Sequence, residues 1–148
     1  MNRFTIFSAA AGVCLALAAC ERRDSANPVV GTWLVHDGKA PFPMHMYVFN
    51  ADGTMQQANP DAGDSHGSDS DGKGIWAIDG SGVRGKWIEV MADRNTHRYT
   101  GRGEYSFEIS VSGNRLSGSG TMRLYDANSM PSGAIPTSFT GDRVTLSL

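Results

Sequence analysis

The chain has 148 residues and a net charge of −2, with 13 Lys and Arg against 15 Asp and Glu. That balance offers no basic surface to a phosphate backbone, which excludes nucleic acid as a partner. The only cysteines are Cys14 and Cys20, so the body beyond residue 20 has no thiol for a disulfide, a zinc cluster or a nucleophile.

Residues 1–19 pass from a basic start, Met1-Asn2-Arg3, into an apolar run, Phe4–Ala19, that only Thr5 and Ser8 interrupt. This is the form of a secretory signal peptide, although a membrane helix of about 20 residues is the alternative reading of such a run. Leu17-Ala18-Ala19-Cys20 decides between them, because it resembles the lipobox of bacterial lipoproteins. The resemblance implies cleavage before Cys20, acylation of that cysteine, and anchoring in a lipid bilayer. One acyl chain binds only marginally, and the three that the resemblance implies hold firmly. Glu21, where an aspartate would signal inner-membrane retention, implies the outer membrane facing the periplasm. Loss of Arg3 with the leader takes the net charge from −2 to −3, and the body left behind suits one domain with its own core.

Residues 20–28 carry the lipidated cysteine and a polar stretch, ERRDSANP, that reads as a flexible tether. From Val29 onward, short strands alternate with turn residues, the pattern of an all-β sandwich or barrel. The expected strands are 29–36, 44–49, 54–58, 74–79, 83–92, 97–111, 114–125 and 137–148, eight in all. Asn50-Ala51-Asp52-Gly53, Asp79-Gly80-Ser81-Gly82 and Ser112-Gly113-Asn114 supply the residues that tight hairpins require. Period two is clearest in GEYSFEISV, where Tyr105, Phe107, Ile109 and Val111 share one face. The next strand leaves Gly118 and Gly120 on such a face, and glycine inside a strand marks a bend or a close approach. There are 18 glycines, more than the usual ~7 % of residues, and a tightly curved, closed antiparallel meander of residues 29–148 is expected.

The stretch 58–74, NPDAGDSHGSDSDGK at its heart, reads as a long mobile loop. Residues 130–136 read as a second break. Gly63-Asp64-Ser65-His66-Gly67 matches a nucleophile elbow but lacks the strand and helix that would hold the serine. Gly80-Ser81-Gly82-Val83-Arg84-Gly85 matches a dinucleotide fingerprint without the following helix and βαβ unit. Asp61, Asp64, Asp69 and Asp71 read as a solvated loop, with weak calcium binding as the alternative, because the oxygens of a complete calcium loop are missing. His36, His45, His66 and His97 have no metal-ligand spacing. No cofactor or metal is expected.

Gly31-Thr32-Trp33, with Arg143 on the last strand, resembles the G-x-W motif and late arginine of lipocalin-like, or calycin-type, barrels. The likeness implies an eight-stranded meander whose tryptophan plugs one end under the arginine, making Gly31, Trp33 and Arg143 structural residues. An eight-stranded barrel is either filled by side chains or holds one small ligand. His45 and Tyr47 share a strand face with Phe49, as a polar pair in a cavity or as rim residues. The candidate ligand-binding residues are His45, Tyr47, Trp76, Trp87, Arg98 and Tyr105, and the aromatic members could equally be core. Three readings of function follow: an envelope lipoprotein whose barrel binds a small apolar or amphipathic ligand, a module that binds or inhibits an envelope protein, and a barrel isomerase or cyclase using His45, Tyr47, Arg98 or Glu104.

Overall fold

The computed structural model describes residues 27–60 and 65–146, and every regular element among them is a β-strand. In chain order these are β1 (Gly31–Asp37), β2 (Met44–Phe49), β3 (Thr54–Ala58), β4 (Gly67–Asp69), β5 (Gly72–Asp79), β6 (Gly82–Asp93), β7 (Tyr99–Ser112), β8 (Arg115–Asp126) and β9 (Pro131–Arg143). Neighbours pair antiparallel, β6 pairs with β7, and β1 pairs with β9, so β1-β2-β3-β5-β6-β7-β8-β9 closes into an eight-stranded meander barrel. The ninth strand, β4, pairs only with β6 and continues the line of β5: Asp69 lies opposite Met91, and Lys73 opposite Ile88.

Two stretches differ from the sequence reading. Within 58–74, read as loop throughout, Gly67–Asp69 is a strand and β5 begins at Gly72. No apolar side chain announces it, because antiparallel pairing with β6 holds it, and just beyond it Ser70 N–H donates to the Val90 carbonyl at 3.0 Å while its Oγ accepts the Val90 N–H at 3.1 Å. The break read at 130–136 belongs mostly to β9, which starts at Pro131 and ends at Arg143 instead of running to 148. β1 pairs with β9 only from Phe139 onward, so among the described residues the earlier part of β9 has one unpaired edge. Pro131 and Pro136 sit on that part, where a missing N–H breaks no ladder.

Alternation sends one face of each strand inward. Trp33, Val35, Phe49, Met55, Phe107, Ile109, Leu116 and Phe139 form a buried core toward one end. The bare glycines of β5 to β8 do not leave interior space, because aromatic rings occupy it. A Cβ on Gly85 would meet the Phe107 ring at 2.4 Å, one on Gly118 the Phe139 ring at 2.5 Å, and one on Gly120 the Tyr105 ring at 2.3 Å. Gly85 is the register partner of Phe107, and Gly118 that of Phe139, the arrangement in which an aromatic covers a glycine across the strand pair.

Candidate functional site

The two ends of the barrel are finished differently. At the closed end, Trp33 is fully buried and its indole N–H donates to the Val29 carbonyl at 2.7 Å. Its register partner Arg143 stacks over the ring, with the guanidinium carbon 4.1 Å from the centroid. The Arg143 guanidinium also donates to the Val30 carbonyl at 2.8 Å and to the Pro28 carbonyl. Gly31 has φ +132°, and a Cβ there would stand 2.8 Å from the Arg143 side chain. The glycine is required both by its backbone and by the arginine that crosses it.

At the open end the core gives way to a cavity of about 230 Å³. His45 and Tyr47 enter it from β2, Trp87 and Glu89 from β6, and Tyr105 from β7. Its upper wall is apolar, with Met122, Leu124 and Ile135 facing Pro41 and Phe42 of the β1–β2 connection. That connection is tied down at both ends. Asp37 N–H donates to the Pro43 carbonyl at 2.8 Å, and Lys39 Nζ donates to the Pro136 carbonyl at 3.3 Å. Beneath the cavity the rings pack on one another: Trp87 stacks on Tyr105 at 5.2 Å, and Tyr47 meets Phe139 edge-on at 5.9 Å.

Gln57, almost fully buried, fixes the protonation pattern. Its Oε1 accepts the Gly72 N–H at 3.0 Å, which leaves its amide nitrogen to donate to Asn59 Oδ1 and, at 3.1 Å, to His45 Nδ1. Since Nδ1 accepts, the proton of neutral His45 sits on Nε2. That N–H is buried and makes no hydrogen bond of acceptable geometry, although the Phe42 backbone lies close enough to favour the protonated ring, and the Trp87 indole N–H likewise makes none. Trp87 lies close enough to Tyr47 to favour its phenolate slightly, but no hydrogen bond of acceptable geometry forms between them. Two donors therefore border one cavity without acceptors, each a group whose unmet burial costs about 1–3 kcal/mol.

Glu89, His45, Tyr47 and Tyr105 are perturbed by the same dryness. Burial, reinforced by the charge of Asp69, pushes the Glu89 carboxyl up to about 7. Its carboxyl lies over Gly103, where a Cβ would come within 2.6 Å of Oε1. Burial lowers His45 below the ordinary histidine range, against the Phe42 backbone and Asp37, which both raise it. Burial raises Tyr47 strongly, and raises Tyr105 to about 12 although the Thr137 hydroxyl, 2.5 Å away, opposes it. Near neutral pH the cavity thus offers neutral N–H and O–H groups and one carboxyl that exchanges its proton. It can receive a hydrogen-bond acceptor against an apolar wall.

Of the sequence candidates, His45, Tyr47, Trp87 and Tyr105 meet in this cavity, and two do not reach it. Trp76 belongs to the closed half, edge-on to Phe49 at 6.2 Å, with its N–H on the carbonyls of Asn50 and Thr54. Arg98 is exposed in the turn before β7. Glu104, named for a catalytic reading, points outward and is held ionised by Lys86 and Arg102. Cys20 and the leader, with Asp61, Gly63 and Asp64, lie outside the described residues. Ser65 Oγ is 2.9 Å from His66 Nδ1, but the serine is exposed and leads into strand β4, where an elbow needs a helix. Gly80-Ser81 is the turn of the β5–β6 hairpin. Among the described residues no cluster of His, Cys, Asp or Glu is gathered to hold a metal, and no helix is long and apolar enough to cross a membrane.

Sequence reasoning missed Asp37, Gln57 and Glu89, the three buried polar residues. The signal was alternation: Asp37 follows Trp33 and Val35 on β1, Gln57 follows Met55, and Glu89 follows Trp87, each two residues on. A larger depression of about 710 Å³ crosses the outside of β5 to β8, but neither unpartnered nitrogen faces it. No protein-family model, curated protein or solved structure matches the chain. The cavity's own geometry is therefore the basis for a functional reading.

Proposed function

We propose that the protein is an envelope lipoprotein, anchored through acylated Cys20, whose barrel takes up a small apolar or amphipathic molecule at its open end. The observation that supports this reading most is the cavity of about 230 Å³ beneath the β1–β2 connection, apolar on one wall and bordered by two donors without acceptors. Close-packed interiors rarely keep such space, and pockets of this make-up, apolar with a few placed polar groups, are the usual form of small-molecule sites. Its size lies between a cavity of about 150 Å³ that holds benzene and the ~300 Å³ at which drug-sized pockets begin. That favours a single ring or a short chain over a long fatty acid.

Native mass spectrometry of the protein purified from its own cells, with thermal shifts against small ring compounds, tests the reading. A copurified small molecule, or stabilisation by about 2.7 kcal/mol at a hundredfold excess over the dissociation constant, is the expected result. A barrel that carries nothing, shifts with nothing and forms a stoichiometric complex with an envelope protein would favour the inhibitor reading instead. The anchor is tested separately: a radioactive fatty acid should label the wild type and leave Cys20→Ser unlabelled, and a labelled serine variant would contradict it.

A further inference from the structure

We propose that the molecule received at the open end is a small, uncharged ring compound bearing a carbonyl oxygen, and that the N–H groups of His45 and Trp87 bind that oxygen. This rests on the reading of the barrel as a small-molecule binder and narrows its ligand to one chemical class.

The argument begins with the two nitrogens. Both are buried, both belong to residues that line one cavity, and neither makes a hydrogen bond of acceptable geometry in the folded chain. The orientation of the Gln57 amide, set by the Gly72 N–H, makes His45 Nε2 a donor, and an indole nitrogen can only donate. Both needs are for an acceptor. Native interiors leave few such groups unmet, and an unmet pair in one concave place points to a ligand or to ordered water. A carbonyl oxygen has two lone pairs and can serve two donors at once.

Charge then removes the anions. Asp37, Asp69 and Glu89 all border the cavity, and among the described residues Lys39 is the one cation that does. The Lys39 ammonium is engaged with the Pro136 carbonyl. A carboxylate ligand would enter among three acids against a single cation, Lys39, and a neutral histidine, in a dry site where like charges repel strongly. A cation would suit those acids but would face the positive ends of two N–H dipoles and leave both donors unmet. A neutral acceptor is the one class that satisfies the nitrogens without adding charge.

The apolar part is sized by what lies below. Trp87, Tyr105 and Tyr47 stack or abut as a continuous floor over Phe107 and Phe139, and glycines already accommodate those rings. A long chain has no path into the core. One ring against Met122, Leu124 and Phe42 fits the space.

The test uses the full-length protein in phospholipid nanodiscs, with empty nanodiscs as background, and four matched ligands: acetophenone, toluene, benzoate and benzylamine. Dissociation constants are followed by saturation-transfer NMR titration. Acetophenone is expected to bind about tenfold tighter than toluene, since one satisfied buried donor pair is worth roughly that factor. Benzoate and benzylamine are expected to bind more weakly than toluene. In Trp87→Phe, which keeps a ring and loses the N–H, the preference for acetophenone over toluene should fall from about tenfold to about threefold or less. His45→Phe provides the same readout should Trp87→Phe fail to fold, and Arg98→Ala, exposed and distant, should keep the wild-type preference. Equal binding of toluene and acetophenone, tightest binding by benzoate or benzylamine, or an unchanged preference in both donor variants would overturn the proposal while leaving a small-molecule binder intact. Failure of all four ligands with palmitate bound instead would overturn the proposal while leaving a binder of amphipathic molecules, and binding of none of the five would overturn the binder reading as well.

Discussion

Trp33 and Trp87 are both indoles buried on the inner face of one barrel, yet one donates its N–H to the Val29 carbonyl at 2.7 Å and the other donates to nothing. Around Trp33 the polar groups that come inside are met: Arg143 stacks on the ring and uses its guanidinium on two backbone carbonyls. Around Trp87 stand a desolvated glutamate, a histidine with one idle nitrogen, and open space. The same alternating strands run through both ends, so strand pattern does not explain the difference. At the closed end cross-strand neighbours were matched to one another, as Trp33 is to Arg143, whereas the open end keeps polar groups that the chain itself does not satisfy. The closed end stabilises the fold, and the open end is the part with unmet interactions to offer.

The largest effect that distinguishes the two ends should come from Trp33→Ala. Removing a fully buried tryptophan costs about 3–5 kcal/mol, read as a drop in the denaturation midpoint. Were the barrel to tolerate the change as well as it tolerates an exposed substitution, the closed end would not be the structural one.

Glu89 gives the next largest effect and the opposite sign. Its folded carboxyl titrates near 7, against 4.5 for the ordinary group, so the folded state holds the proton more tightly than the unfolded state does. Stability from this residue is therefore present in full below about pH 4.5 and is lost as pH rises toward 7. At about 1.4 kcal/mol per unit, the loss reaches roughly 3 kcal/mol. Glu89→Gln should remove that loss and be the more stable protein at pH 8, by urea denaturation. His45 acts in reverse: with its folded value lowered, stability is lost as pH falls below its ordinary value of 6.5. The rising and falling limbs are separable because His45→Phe should abolish only the acid one. A Glu89→Gln variant less stable than wild type at pH 8 would show the carboxylate to be satisfied after all.

Gly120→Ala should cost about 1–3 kcal/mol, because its methyl would stand 2.3 Å from the Tyr105 ring and cores resist overpacking. Gly133→Ala, with nothing within 4 Å, is the matched control and should be near neutral in a thermal melt. The smallest effects belong to Arg98→Ala and Ser65→Ala, both exposed and each expected to stay within about 0.5 kcal/mol of wild type. A hydrolase activity abolished by Ser65→Ala would move the functional site away from the barrel mouth.

Much of this comparison was legible in the sequence. Turn residues and period-two faces gave an all-β antiparallel meander of eight barrel strands, because each hairpin carries its own local chemistry. Four of the six candidate cavity residues meet where a shared inward face puts them. What escaped was written in other terms. The strand at Gly67–Asp69 is held by backbone bonds to β6, and its Gly-Ser-Asp composition carries no burial signal. Pro131 and Pro136 looked like breakers because only the closed topology shows that their edge of β9 is unpaired. Glu89, Asp37 and Gln57 were passed over because a polar residue at an inward position of a strand carries no mark of its burial in the sequence. Whether it terminates a core or lines a cavity depends on the opposite wall, made by the β1–β2 connection and the far part of β9. Trp76 lies elsewhere for a related reason, since alternation gives a face but not a height along the barrel, whereas Arg98 falls in the connection before β7 and on the parity opposite to Tyr105.

The most direct test follows the three indole N–H resonances of the ¹⁵N-tryptophan-labelled protein while acetophenone is titrated in. The Trp87 signal should move downfield along a saturable curve as its proton gains an acceptor, while Trp33, held by Val29, and Trp76, held by Asn50, stay in place. A Trp87 signal that does not move, or three signals that move together, would contradict the assignment of an unmet donor to the open end.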